Sequence, residues 1–177
     1  RIELPFRFPQ WPREWQDVAW LAGREQGGPL REVGTHYLFG VQEAFGGVEW
    51  VNAAVEYTAP GRYEASITGY FAADGVPGTI DLLTDCGVDE RNSMTVVGTE
   101  GSLTLLDWYR LAERSEGAEQ QVVVDDPGET TLQLVDEFVA ELEGDGGDLV
   151  SFAEANRVQR VVDTVFAAGG ERALVDE

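Results

Sequence analysis

The sequence contains one histidine, His36, and a carboxylate, Glu32, stands four residues before it. On a helix these positions are neighbours. A carboxylate beside an imidazole orients the ring, and the ring can then pass a proton to or from a hydroxyl near neutral pH. The same spacing also makes an ordinary helix-surface pair worth about 0.3 kcal/mol, so spacing alone leaves both readings open. Facing narrows the choice. At about 100° per residue, Leu30, Val33, Tyr37, Val41 and Ala44 share one stripe. Glu32, His36, Phe39 and Glu43 fall on the opposite side. The histidine therefore stands on a polar face, beside two carboxylates and one aromatic that such a face does not explain.

These residues need a frame to hold them. Arg1 to Phe8 alternate apolar and polar and read as a half-buried strand, ended by Pro9 and Pro12. Trp11, Trp15 and Trp20 follow in an irregular segment. Core and inter-domain packing explains them, while a cleft-wall role for Trp11 or Trp15 suits the flat faces of sugars. After Gly27-Gly28-Pro29 a helix is expected from Leu30 to Phe45, stopped by Gly46-Gly47. Strands are expected over Val48–Thr58, Arg62–Ala72, Gly78–Cys86, Ser93–Val97 and Ser102–Leu106, with weaker ones at Trp108–Ala112 and Gln121–Val124. Two helices come next, Thr131–Leu142 and one capped by Ser151 with Glu154 three residues on. Gly169-Gly170 ends the second, and Glu171 to Val175 read as a closing strand. Grouped antiparallel-type strands with helices at both ends predict an α+β domain, an open and mostly antiparallel sheet with helices on one face.

Charge sets the habitat rather than the chemistry. Against 33 Asp and Glu stand 12 basic residues, all arginine, for a net charge of −21. At low salt such self-repulsion opposes a compact fold. At molar salt the Debye length shrinks to about 3 Å and most of that cost disappears. The acids are spread through periodic segments instead of forming blocks, which favours salt adaptation and a high-salt cytoplasm over a generic acidic interaction surface. A phosphate backbone would be repelled, so nucleic acid is not an expected partner. No apolar run approaches the roughly 18 residues of a membrane span. The single cysteine, Cys86, excludes an internal disulfide and reads as a small core residue. One His and one Cys make no zinc set of the usual type. Gly98-Thr99-Glu100-Gly101 lacks the Lys-Ser/Thr of a phosphate loop and reads as a hairpin turn, and no Gly-x-Gly-x-x-Gly exists.

The stretch from Trp20 through Gly28 to His36 resembles the glycine-pair and Asp-x-x-x-His region of the glucose–fructose oxidoreductase/inositol dehydrogenase (Gfo/Idh/MocA) family. Met94 to Leu103 resembles that family's sheet hairpin, Phe138–Glu141 and Phe152–Ala155 its two late helices, and Gly169–Val175 its closing strand. The resemblance spans nearly the whole chain but only the second half of a family member. It implies that residues 1–177 are one C-terminal substrate-binding and oligomerisation domain, cut from a longer protein whose N-terminal Rossmann domain carries NAD or NADP and a catalytic lysine. It further implies reversible oxidation of a sugar, polyol or related hydroxy compound, with no turnover by this domain alone. Homo-oligomers would form through the sheet. Glu32 matches the family's Asp with one extra methylene, and His36 matches its His. Phe39 occupies a position where many members carry an Asp, and is expected to line the cleft or pack on the missing domain. A non-catalytic binding or assembly module built on the same sheet is the second reading.

Overall fold

The computed structural model describes residues 1–169, with Trp50 and Val51 described by their backbone alone. The opening run forms β1 (Ile2–Phe8), and burial alternates along it residue by residue. Seven strands follow: β2 (Val48–Tyr57), β3 (Glu64–Ala73), β4 (Val76–Thr84), β5 (Arg91–Val97), β6 (Gly101–Leu106), β7 (Arg110–Ser115) and β8 (Gln121–Asp125). All eight belong to one sheet in the order β2-β3-β4-β1-β5-β6-β7-β8. β1 runs parallel to β4 and antiparallel to β5, and the remaining pairs are antiparallel. The fold is thus the α+β, largely antiparallel open sheet that the residue pattern implies. The first strand lies at its centre, which is why Ile2, Leu4, Phe6 and Phe8 are at most 1% exposed.

Among the described residues three α-helices accompany the sheet: α1 (Thr35–Phe45), α2 (Pro127–Glu143) and α3 (Phe152–Ala168). α1 buries Tyr37, Leu38 and Val41, α3 buries Val158, Val161, Val162 and Val165, and all join the core built on β1, β3 and β4. Ser151 and Glu154 form the expected capping box. α2 behaves differently. It has no buried residue, and its apolar stripe is open, with Leu132 66%, Phe138 54% and Leu142 71% exposed.

Several boundaries differ from the sequence expectation. The weak strand at Trp108 starts two residues later, at Arg110, because Asp107 and Trp108 turn the chain with positive φ angles of 49° and 74°. The helix expected over Leu30–Phe45 is one continuous rod, but its first turn, Leu30–Gly34, is a π-helix. Cys86 sits half-buried just past β4, its thiol donating to the Phe8 carbonyl at 3.3 Å, instead of inside a strand. The closing strand expected over Glu171–Val175 lies outside the described residues.

Glu64, the first residue of β3, is the unusual core group. It is 2% exposed, and neither carboxylate oxygen has a protein hydrogen-bond partner. Burial pushes its carboxyl up from 4.5 to about 7, and the dipole of its own backbone N–H, then the charges of Arg31 and Arg24, only partly oppose this. Folding therefore favours the protonated acid. That stabilisation is complete below the unfolded-state value of 4.5 and is lost as the pH rises through about 7. Between about pH 5 and pH 8 the wild-type chain should lose on the order of 3 kcal/mol of stability relative to Glu64→Gln. Urea unfolding of both proteins across that range checks this; parallel curves would refute it.

Candidate functional site

The site begins at the loop before the helix. Gly28 has a φ of 96° and sits directly against the Glu64 carboxylate: a Cβ placed there would lie 2.1 Å from Oε2. Its N–H donates to the Leu21 carbonyl at 3.0 Å, and its own carbonyl accepts the Glu32 N–H at 3.1 Å, the first bond of the rod. Arg31 reaches back to the carbonyls of Arg24 and Gly27 at 2.9 and 3.4 Å and lays its guanidinium 4.3 Å from the Phe166 ring centre. The loop, the buried acid and two arginines thus fix where the helix starts.

The π turn then changes which side chains meet. It winds through more than four residues per turn, so the regular 100° wheel misphases Glu32 against His36. The Glu32 carboxylate accepts a bond from the Gln16 amide at 3.3 Å, and among the described residues no hydrogen bond joins it to His36. The Glu–His pair expected from spacing is not formed. Leu38 and Gln42 are buried, whereas Ala44, placed on the buried stripe by the wheel, is exposed.

His36 is exposed on α1 and borders a cleft of about 490 Å³ between α1 and the start of α3. Thr35, Phe39, Val150, Val158 and Gln159 also line it. Phe39, half-buried and packed against the core, forms part of its apolar wall. The imidazole also meets Trp108, edge-on, with ring centres 4.9 Å apart and an interplanar angle of 87°. Trp108 also leans on Tyr37, again at 4.9 Å. The Tyr37 hydroxyl donates to the Asn92 carbonyl at 3.0 Å, and the same carbonyl accepts the Asp107 N–H at 3.3 Å. Burial first, then the Asp107 charge, pushes the Tyr37 phenol well above its ordinary range, so it acts as a fixed donor.

The tryptophans near the N-terminus lie elsewhere. Trp11 is a core residue, 3% exposed, with its indole N–H donating to the Leu21 carbonyl at 3.0 Å and its ring against Phe8. Trp15 is 75% exposed, with Arg13 near its ring, and neither lines the cleft at His36. Sequence reasoning missed Trp108. Nothing in Leu106-Asp107-Trp108-Tyr109 announces that a bulky aromatic will take a left-handed backbone, at a cost of about 1 kcal/mol or more.

Among the described residues no cluster of His, Cys, Asp and Glu is arranged to hold a metal, and no helix is long and apolar enough to cross a membrane. The Gly98–Gly101 segment is the expected hairpin turn, closed by a 2.8 Å bond from the Gly98 N–H to the Gly101 carbonyl.

The chain belongs to the GFO/IDH/MocA C-terminal domain family, whose family model matches residues 2–104. Solved structures share the fold beyond that stretch. A 3-ketoreductase from Actinomadura kijaniata, in complex with NADP and TDP-benzene, is 17% identical, covering 94% of this chain and 53% of its own, with a TM-score of 0.71. A levoglucosan dehydrogenase in complex with NADH and levoglucosan is 18% identical over 95% of this chain and 56% of its own, TM-score 0.71. The WlbA dehydrogenase from Bordetella pertussis, in complex with NADH and UDP-GlcNAcA, is 17% identical over 95% and 52%, TM-score 0.70. This chain therefore spans about half the length of each of these structures. No curated protein matches it.

The contact between Gly28 and Glu64 makes a sharp expectation. Gly28→Ala should destabilise the chain by about 2–4 kcal/mol, through steric conflict and an unfavourable φ together. Gly61→Ala, at a φ of 73° with nothing within 4 Å, should cost only about 1 kcal/mol. Equal losses in urea unfolding would show that the close approach to Glu64 does not matter.

Proposed function

We propose that this chain is the substrate-side domain of a nicotinamide-dependent oxidoreductase acting on a sugar, polyol or related hydroxy compound. The observation that carries the reading is His36: the chain's only imidazole, exposed at the mouth of a cleft with one apolar wall. Membership of the family and neighbours solved with NADH, NADP and sugar-derived ligands support it. NAD or NADP would be held by a preceding Rossmann domain, because this chain has no glycine fingerprint for a pyrophosphate. The bound nicotinamide would supply hydride acceptance.

What the chain itself supplies is proton handling and placement. As the carbinol C–H leaves as hydride, the hydroxyl proton passes to a ring nitrogen of His36 and the C–O bond becomes a carbonyl; the reverse reaction returns the proton. Glu32, restrained by Gln16, does not line this cleft; it is proposed to hold a substrate hydroxyl that reaches beyond it, and not to orient the imidazole. Phe39 provides a flat apolar surface beside the ring. Trp11, buried, has no part in this cleft, and Trp15 is assigned no role.

The open apolar stripe of α2, with exposed Tyr70, Leu83, Val97 and Leu103 on the sheet, favours a domain that works against neighbours: its own nucleotide domain, and a second copy across the sheet. Salt adaptation is proposed from the net charge of −21 and the absence of lysine.

In the full-length protein, His36→Ala should lower NAD(P)⁺-dependent oxidation of D-glucose, myo-inositol or levoglucosan at least tenfold, with unchanged far-ultraviolet circular dichroism, and Glu32→Gln should raise KM. Turnover unaffected by His36→Ala would sink the assignment. Raising KCl from about 0.1 to about 2 M should lift the thermal midpoint of this chain, since screening relieves self-repulsion. Sedimentation in the higher salt should show a dimer or larger species. A flat midpoint would argue against salt adaptation, and a strict monomer against sheet pairing.

A further inference from the structure

The turn between β6 and β7 places two consecutive non-glycine residues, Asp107 and Trp108, in the left-handed backbone region, with φ angles of 49° and 74°. Asn and Asp tolerate that region because a short polar side chain bonds locally; a large aromatic does not. A strained residue persists only where its surroundings over-determine it. Here they do. The Asp107 N–H and the Tyr37 hydroxyl share the Asn92 carbonyl, which ties the turn to β5 and to α1 at one point. The indole projected from that turn contacts two rings of α1, edge-on to His36 and tilted against Tyr37, both at 4.9 Å between centres.

An exposed histidine on a helix ordinarily samples several rotamers. His36 both borders the cleft and packs edge-on against the indole. We propose that Trp108 is the positioning residue of His36, its strained turn holding the indole as a fixed wall that keeps the imidazole in the one rotamer bordering the Phe39 cleft. The strain in the hairpin is then the means by which β6–β7, and not α1 alone, sets the direction of proton transfer. The inference rests on the reading of His36 as the proton-transfer group, but its central claim is conformational and can be tested without substrate.

The chain's single histidine makes that test clean, because its imidazole C–H signals are unique. In the wild-type chain, NMR should show one set of Hα–Hβ couplings for His36, near the staggered limits, with cross-relaxation to both Trp108 and Phe39. In Trp108→Leu and Trp108→Met the couplings should collapse toward rotamer-averaged values and the cross-relaxation to Phe39 should fall at least threefold. Trp108→Phe should restore the wild-type pattern. Two non-aromatic variants are paired so that at least one folded protein, judged by its sheet amide signals, is available. Unchanged His36 couplings in a folded non-aromatic variant, or failure of Trp108→Phe to restore them, would overturn the proposal. In the full-length protein the non-aromatic variants should lower kcat at least fivefold with KM within twofold. A lowered KM-independent rate in His36→Ala but wild-type rates in Trp108→Leu would also overturn it. If His36→Ala leaves turnover intact, the proton-transfer reading falls, while the coupling measurement still decides whether Trp108 fixes the ring.

Discussion

The Asn92 carbonyl on β5 accepts two protons, one from the Tyr37 hydroxyl of α1 and one from the Asp107 amide of the β6–β7 turn. A single buried hydrogen bond contributes only about 1 kcal/mol net, but leaving its donor unpaired inside the protein costs more. That asymmetry makes the shared carbonyl a hinge pin. Tyr37 stacks between Phe6 of the central strand and Trp108 of the hairpin, with ring centres 5.2 and 4.9 Å away. Helix, central strand and peripheral hairpin are therefore registered to one another through one tyrosine. His36, the next residue back along the chain, inherits its position from that registration.

A second constraint works from the other end of the same rod. Gly28 admits the Glu64 carboxylate because it lacks a Cβ, and the glycine's φ of 96° is one that other residues rarely adopt. A buried acid with no protein hydrogen-bond partner is costly when ionised, and it sits beneath the loop from which the helix carrying Glu32 and His36 starts. Arg24 and Arg31 partly offset its charge while bracing the neighbouring loop and aromatic rings. Structure and chemistry are coupled here: the acid beneath the helix start is one whose burial raises its pKa to about 7.

Much of this was legible along the chain. β1 showed itself by strict alternation, and the glycine pair ahead of Leu30, the Ser151–Glu154 box and the Gly98–Gly101 turn each mark an element end found in the fold. Such signals are local: they depend on residues a few positions apart and on backbone preferences that a sequence displays directly. The exposure of His36 was also legible, because helical facing sets it opposite the buried stripe; Phe39, set on that same polar face, is instead half-buried against the core. The Glu32–His36 pairing was not, because it assumed a regular α-helix where the rod begins with a π turn. The spacing was read correctly and the winding was not. Trp11 and Trp15 show a related limit, since composition cannot tell a buried indole donating to a carbonyl from one 75% exposed.

The sequence by itself determined the class of domain, the order of the elements found in its described residues, the acidic composition and the identity of its only imidazole. Each of these follows from composition, periodicity or local turn chemistry. Only the tertiary structure decided what surrounds that imidazole. Trp108 lies 72 residues further along the chain and Asn92 lies 56, and they reach α1 because β5 pairs with the central β1 and the following hairpin folds back beside it. Contacts over such separations are set by strand order and register. No local pattern in the sequence encodes that order, and it is what turns a lone exposed histidine into a ring walled by an indole and facing a cleft.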